Sequence, residues 1–231
     1  MPQRFAIYYA PDTTSTLWER AAVWLGRDAA TNAMFEGAVA GIDRTRLLNR
    51  TQSAGRYGFH ATLKPPMTLA EDQNPETLRA ALADFAAQTA PVSIGPLQIA
   101  DLAGFLALVP APGNDALQDL AARVVEDFEP FRAPLHPRDY AARLAAGLTP
   151  RQEELLGAYG YPYVMDEFRF HMTLTDRLEG EDCAEFRTAA QTWFAPVLGE
   201  PVMLDRLVLF VEPEPGKSFR REAEYLLGGV A

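Results

Sequence analysis

One five-residue pattern occurs twice in the chain. Phe59-His60-Ala61-Thr62-Leu63 returns as Phe170-His171-Met172-Thr173-Leu174, and only the middle apolar residue differs. Two of the three histidines stand in this one local frame. Three further matches around a pair of histidines arise by chance on the order of once in a thousand chains of this size, so the copies read as two halves of one site. In a strand, residues two apart share a face. A first motif strand over about 56–64 puts Arg56, His60, Thr62 and Lys64 on a polar face. Phe59, Ala61 and Leu63 then form an apolar one, with Tyr57 on that packing side. A second strand over about 167–175 puts Arg169, His171, Thr173 and Thr175 opposite Phe168, Phe170, Met172 and Leu174.

Composition narrows the classes. Hydrophobic residues make up 48% of the chain, enough for a packed core and against disorder. The single Cys183 excludes an internal disulfide and a Cys-rich metal site. Neither a signal peptide nor a bilayer-length apolar run is expected, so the default location is cytoplasmic. The net charge of −10 argues against a long polyanion, because general nucleic-acid binders use a basic surface. A small anionic ligand held by a few local cations stays possible.

Taken in order, Arg4 to Ala10 reads as a buried strand. A helix follows over about 16–25, with Thr16 and Glu19 at capping-box spacing. Residues 28–55 lack a period and read as loop, with Arg44, Arg46 and Arg50 scattered through them. Pro65-Pro66 should end the first motif strand. Asn74-Pro75-Glu76 opens a helix, Asp101–Gly104 suits a hairpin turn, and Asn114 and Thr149 start two more helices. The prolines at 130, 134 and 137 break up a loop that holds the third histidine, His136, read as structural or exposed. A helix over about 182–194, a strand over 202–211 and a last strand through Leu227 complete the chain. The expected fold is α+β, with antiparallel or mixed sheets in two similar lobes around a cleft, treated as one domain over 1–231.

Two imidazoles facing each other suit acid-base work at phosphorus, since one can accept a proton while the other donates one. Thr62 and Thr173 could bond the non-bridging oxygens. Lys64 and Arg169, with Arg56 as a weaker candidate, could stabilise developing charge. Neither a metal nor another cofactor is required. Two other readings stay open at this point. One is a binding protein that senses a phosphometabolite. The other is a two-histidine metal site completed by Asp166, Glu167 or Asp176.

The repeated His-x-Thr motif, at His60/Thr62 and His171/Thr173, resembles the 2H phosphoesterase superfamily. That resemblance implies a bilobed α+β fold with a pseudo-two-fold axis and paired motifs lining the cleft. It also implies metal-free opening of cyclic phosphates or related phosphodiesters. A narrower likeness covers nearly the whole chain: Ile7-Tyr8-Tyr9-Ala10-Pro11, Trp24-Leu25-Gly26-Arg27-Asp28, Tyr57-Gly58-Phe59-His60-Ala61-Thr62-Leu63-Lys64, Leu148-Thr149-Pro150-Arg151-Gln152 and Gly160-Tyr161-Pro162-Tyr163-Val164-Met165. These segments resemble the DUF1045 branch, which is tied to phosphonate metabolism. The branch implies a small phosphorylated or cyclic-phosphate metabolite as the partner, such as a ribosyl cyclic phosphate, ahead of an RNA 2′,3′-cyclic phosphate.

Overall fold

The fold is organised by where the two motif strands meet. The computed structural model describes residues 3–229. Its strands are β1 (Arg4–Tyr9), β2 (Ala61–Met67), β3 (Val92–Leu102), β4 (Phe105–Pro110), β5 (Met172–Thr173), β6 (Pro201–Leu204), β7 (Arg206–Glu212) and β8 (Arg220–Leu226). Its helices are α1 (Thr16–Leu25), α2 (Arg44–Asn49), α3 (Gln52–Tyr57), α4 (Pro75–Ala87), α5 (Asp115–Asp127), α6 (Pro137–Leu144), α7 (Pro150–Tyr159) and α8 (Asp182–Leu198). The strands form one eight-stranded sheet in the order β6-β3-β4-β5-β2-β1-β7-β8, antiparallel at every pairing. The order divides into two four-stranded halves that join at β2 and β5, so the α+β expectation holds and the sheet is antiparallel, not mixed. A large apolar cluster draws on both halves, from Tyr8 and Phe210 to Leu108 and Phe186. β7 is buried along its whole length, whereas β8 alternates exposed and half-buried residues as an edge strand does.

Several helix starts follow their local chemistry. Asn74 accepts from the Thr77 N–H and closes a capping box, Thr149 does the same with Gln152, and Asn114 caps α5 through Leu117. At α1 the cap is Ser15, which accepts from the Trp18 N–H, and not Thr16. The segment expected to be loop contains two six-residue helices, α2 and α3. His136 caps the short α6, its Nδ1 accepting from the Arg138 N–H. The expected strand over 202–211 is two strands broken at Asp205, and α8 continues through Pro196.

The motif strands are shorter than alternation suggests, and one is irregular. Arg56 and Tyr57 lie on α3, so the first strand begins only at Ala61. Pro65 and Pro66 sit inside β2 instead of ending it. They are tolerated because the β1–β2 register shifts between Lys64 and Met67, where no ladder donor is needed. A second shift lies one step earlier. Tyr8 pairs with Thr62 but Ile7 pairs with Lys64, which leaves Leu63 as the extra residue of a bulge.

Candidate active site

The register at the centre of the sheet assembles the motif. Ala61 pairs with Met172, both fully buried on the apolar face. An antiparallel ladder continued one step either way sets His60 across from Thr173 and Thr62 across from His171, all four on the other face. Directly opposed side chains stand about 5 Å apart and diagonal ones about 7–8 Å. The two imidazoles occupy one diagonal and the two hydroxyls the other, with room between them for a tetrahedral group.

Both rings are held the same way. Nδ1 of His60 lies 2.8 Å from the Gly58 carbonyl, and Nδ1 of His171 lies 2.7 Å from the Arg169 carbonyl. A carbonyl only accepts, so Nδ1 carries the proton in each neutral ring and Nε2 carries the lone pair. Each motif therefore orients its own imidazole through the backbone two residues upstream. Around His60 this backbone is braced. Arg27 is buried and donates to the carbonyls of Gly55, Arg56 and Phe219. Gly58 has φ +81°, and a Cβ there would sit 2.6 Å from that of Ala29. Only glycine satisfies both conditions.

Electrostatics separate the rings. His60 stacks on Tyr8 with centroids 3.7 Å apart and planes 20° apart. The Thr62 hydroxyl donates to its Nε2 at 3.2 Å. Burial pushes His60 down to about 4, the Gly58 carbonyl opposing this and the nearby His171 adding to it. His171 is lowered by burial too, against the Arg169 carbonyl. Its aromatic neighbour is Phe105, tilted at 5.9 Å, and among the described residues its Nε2 has no hydrogen-bond partner.

A cleft of about 430 Å³ opens beside these side chains, within the size range of small-ligand sites. α3 supplies Ser53, Ala54 and Tyr57 to its lining, β4 supplies Phe105, the first motif supplies His60, and the second motif and the residues after it supply Thr173, Thr175, Asp176 and Arg177, while His171 and Thr62 lie outside that lining. A slightly larger hollow of about 470 Å³, between residues 40–42 and α8, carries neither histidine nor cation. Among the described residues no group of three or more His, Cys, Asp or Glu is placed to hold a metal ion. Asp166 instead pairs with Arg151, and Asp176 accepts from the Ser53 N–H.

The expected cations fare differently. Lys64 is turned away: the bulge gives it the pairing face of Ile7, and it is fully buried with its ammonium on the Val125 carbonyl (2.8 Å) and Glu129 (2.6 Å). Arg56, on α3 and not on a strand, pairs with the buried Glu212 and donates to the Lys217 carbonyl. Arg169 is exposed beside His171 and makes no ion pair among the described residues. Tyr57 packs as expected, stacked on Phe219 with centroids 4.9 Å apart, and it also lines the cleft, with its ring 6.2 Å from His60. Arg46 and Arg50 are tied to Asp182 on α8, and Arg44 to the Val23 carbonyl, so these arginines anchor their segment. Tyr8 and Arg177 also belong to the site. The alternation through 171, 173 and 175 reaches Arg177 in one more step, whereas no local signal marks Tyr8, whose contact depends on β1 lying next to β2.

Two curated relatives both bear the name ribose 1,5-bisphosphate phosphokinase PhnN. The protein of Janthinobacterium sp. (strain Marseille) is 38% identical over 221 residues, and that of Laribacter hongkongensis (strain HLHK9) is 37% identical over 221 residues. The matches cover 94% of this chain and 49% and 50% of those proteins, so the chain spans about half the length of the curated relatives it matches. Among solved structures, a phosphoesterase aligns at a TM-score of 0.42 and 13% identity over 98% of this chain and 99% of its own. E. coli LigT complexed with NADP+ aligns at 0.42 and 11% identity over 99% of each. The model of the family described as protein of unknown function (DUF1045) matches residues 62–220, well over half of the sequence, and the chain belongs to that family.

Proposed function

We propose that this chain, as one bilobed domain, is a metal-independent phosphoesterase of the 2H type that opens a cyclic phosphodiester of a small metabolite. One observation carries the reading. Two histidines from repeated motifs stand at the starts of adjacent strands, each locked through Nδ1 to a backbone carbonyl so that its lone pair is on Nε2. A structural histidine has no need of that duplicated tautomer control. In the proposed reaction, Nε2 of one ring removes a proton from water as its oxygen bonds to phosphorus. The ester P–O bond then breaks, and Nε2 of the other ring, charged beforehand, gives its proton to the departing oxygen. Thr173, on the second diagonal, donates to one non-bridging oxygen, and Thr62 donates to another once substrate draws its hydroxyl off the His60 Nε2. Arg169 is the motif cation left free to approach the developing charge.

The relatives' name makes a phosphorylated ribose the natural candidate, and a ribosyl cyclic phosphate fits both that name and this chemistry. The named kinase activity we assign to the half of the relatives that this chain does not span. Gly216-Lys217-Ser218 resembles the end of a phosphate-binding loop, but Val211 stands where the first glycine belongs and the segment is a β7–β8 hairpin, not a strand-to-helix turn. An RNA 2′,3′-cyclic phosphate is the second choice, disfavoured by the charge of −10. A non-catalytic binder of phosphometabolites is the third.

Phosphorus NMR with excess chelator tests the proposal. The panel is ribose 1,2-cyclic phosphate with and without a 5-phosphate, nucleoside 2′,3′-cyclic phosphates and a cyclic-phosphate-ended RNA. Opening of the ribose compounds, lost in His60→Ala and His171→Ala, is the expected result. Turnover that needs the metal, or that persists in both variants, rejects the two-histidine mechanism.

A further inference from the structure

Arg177 is a cation for which the two-histidine mechanism has no use. It lines the same cleft as His60, Thr173 and Thr175, and its side chain is exposed. Several arginines of this acidic chain are matched to carboxylates, as Arg46 and Arg50 are with Asp182 and Arg206 is with Asp12, while others, Arg169 among them, are not. Arg177 makes no ion pair among the described residues. Its sequence neighbour Asp176 also lines the cleft, yet both carboxylate oxygens face the Ser53 N–H, and its own N–H donates to the Arg50 carbonyl. That carboxylate holds the start of α3 against the end of the motif. The stem of Arg177 lies along the β3–β4 turn, where a Cβ on Gly104 would be 3.6 Å from its Cγ. Phe105 and Tyr57 give the cleft that Arg177 shares with His60 two aromatic lining residues.

We propose that Arg177 forms a second anion subsite, which reads a terminal phosphate carried by the same small molecule whose cyclic ester lies at the histidines. A guanidinium offers a planar pair of donors that match a phosphate monoester. The aromatic walls suit the sugar between the two phosphates, and a volume of about 430 Å³ admits a bis-phosphorylated pentose while excluding a folded polymer. The substrate class narrows from a cyclic phosphodiester to one that bears a second, dianionic group. This narrowing rests on the phosphoesterase reading for the position of the reacting phosphate.

The test compares kcat/KM for ribose 1,2-cyclic phosphate and for its 5-phosphorylated counterpart. Wild-type protein should favour the 5-phosphorylated compound by about tenfold or more, the usual size of one charge-assisted contact. Arg177→Gln should collapse that ratio toward one, and Arg177→Lys should keep part of it, since a point charge survives. An unchanged ratio in Arg177→Gln overturns the subsite. If neither compound turns over, the phosphoesterase reading fails separately, and thermal stabilisation by ribose 5-phosphate against ribose judges Arg177 alone. Stabilisation by the phosphorylated sugar that Arg177→Gln loses supports the subsite. Equal stabilisation in both proteins, or none in the wild type, overturns it.

Discussion

The two halves of the site carry nearly the same five residues and surround them differently. His60 stacks on Tyr8, takes a hydrogen bond from Thr62 and sits over a backbone braced by Arg27. His171 has only the tilted Phe105 beside it, lies next to the exposed Arg169, and leaves Nε2 without a partner among the described residues. Burial lowers both rings, His60 to about 4. A symmetric motif has thus been placed in an asymmetric field. Two groups with one pKa compete for the same role, whereas two groups whose environments differ can divide the work. In the proposed mechanism this makes His60, pushed down to about 4, the base and His171 the acid, whose charged form an incoming phosphate anion would favour.

Removing either imidazole is the strongest way to break this comparison. His60→Ala and His171→Ala should each cut turnover by about 10²–10⁴-fold, the usual contribution of one acid-base group. Circular dichroism should show the fold retained. Their pH profiles should differ from the parent in opposite limbs. For the wild type, kcat/KM rises as pH passes the pKa of the base and falls as it passes that of the acid. Both lie below 6.5, so the optimum should fall between about pH 4 and 6.5. An optimum above pH 7 sinks the assignment. Stability provides a second reading of the same group. A histidine with a depressed folded pKa is neutral in the fold while the unfolded chain takes up a proton, so wild-type stability should drop as pH falls from 6.5 toward 4. His60→Gln should flatten that slope in urea titrations run across the window.

Next in size are the hydroxyls and the brace. Thr62→Val and Thr173→Val should each lower kcat by about 10- to 10³-fold if they donate to the phosphate in the transition state. Thr62→Val should also alter the acid limb, because it deprives the His60 Nε2 of its donor, whereas Thr173→Val should not. Gly58→Ala has no counterpart in the other half, where Arg169 supplies the carbonyl. With φ +81° and a Cβ 2.6 Å from that of Ala29, it should cost about 1–3 kcal/mol of stability. It should depress turnover by loosening the tautomer lock of His60 alone. Thermal melts and steady-state rates on the same preparations separate the two effects.

Much of this site could be read from alternation alone. Parity put His60 with Thr62 and His171 with Thr173, and one further step of two would have reached Arg177. Local hydrogen-bond chemistry likewise announced the caps at Asn74, Asn114 and Thr149. What was illegible depends on contacts distant in sequence. α3 is six residues long, too short to show a helical period, and its start is held by Asp176 far along the chain. The neighbour relation of β2 and β5, which converts two motifs into one square of side chains, is a property of the whole sheet. Tyr8 enters the site because β1 flanks β2. A bulge at Leu63 leaves no mark in an apolar-polar pattern, so Lys64 looked like part of the polar face.

Lys64 is also where the halves part most plainly, and its substitution is the smallest expected effect on catalysis. The position two beyond each motif threonine is Lys64 in one copy and Thr175 in the other. Thr175 lines the cleft while its hydroxyl accepts from the Leu106 N–H. Lys64 has been rotated into the interior, where its ammonium joins β2 to the end of α5 through the Val125 carbonyl and Glu129. Lys64→Met keeps most of the stem and deletes the charge. Glu129 retains Arg132, so the loss should stay below that of a fully orphaned buried acid, at about 1–3 kcal/mol. The rate per folded molecule should be unchanged within twofold, since the ammonium faces α5 and not the cleft. If Lys64→Met instead lowers kcat as Thr173→Val does, while urea denaturation finds its stability intact, then the bulge does not turn Lys64 inward in solution and the polar face extends one residue further than the structure places it.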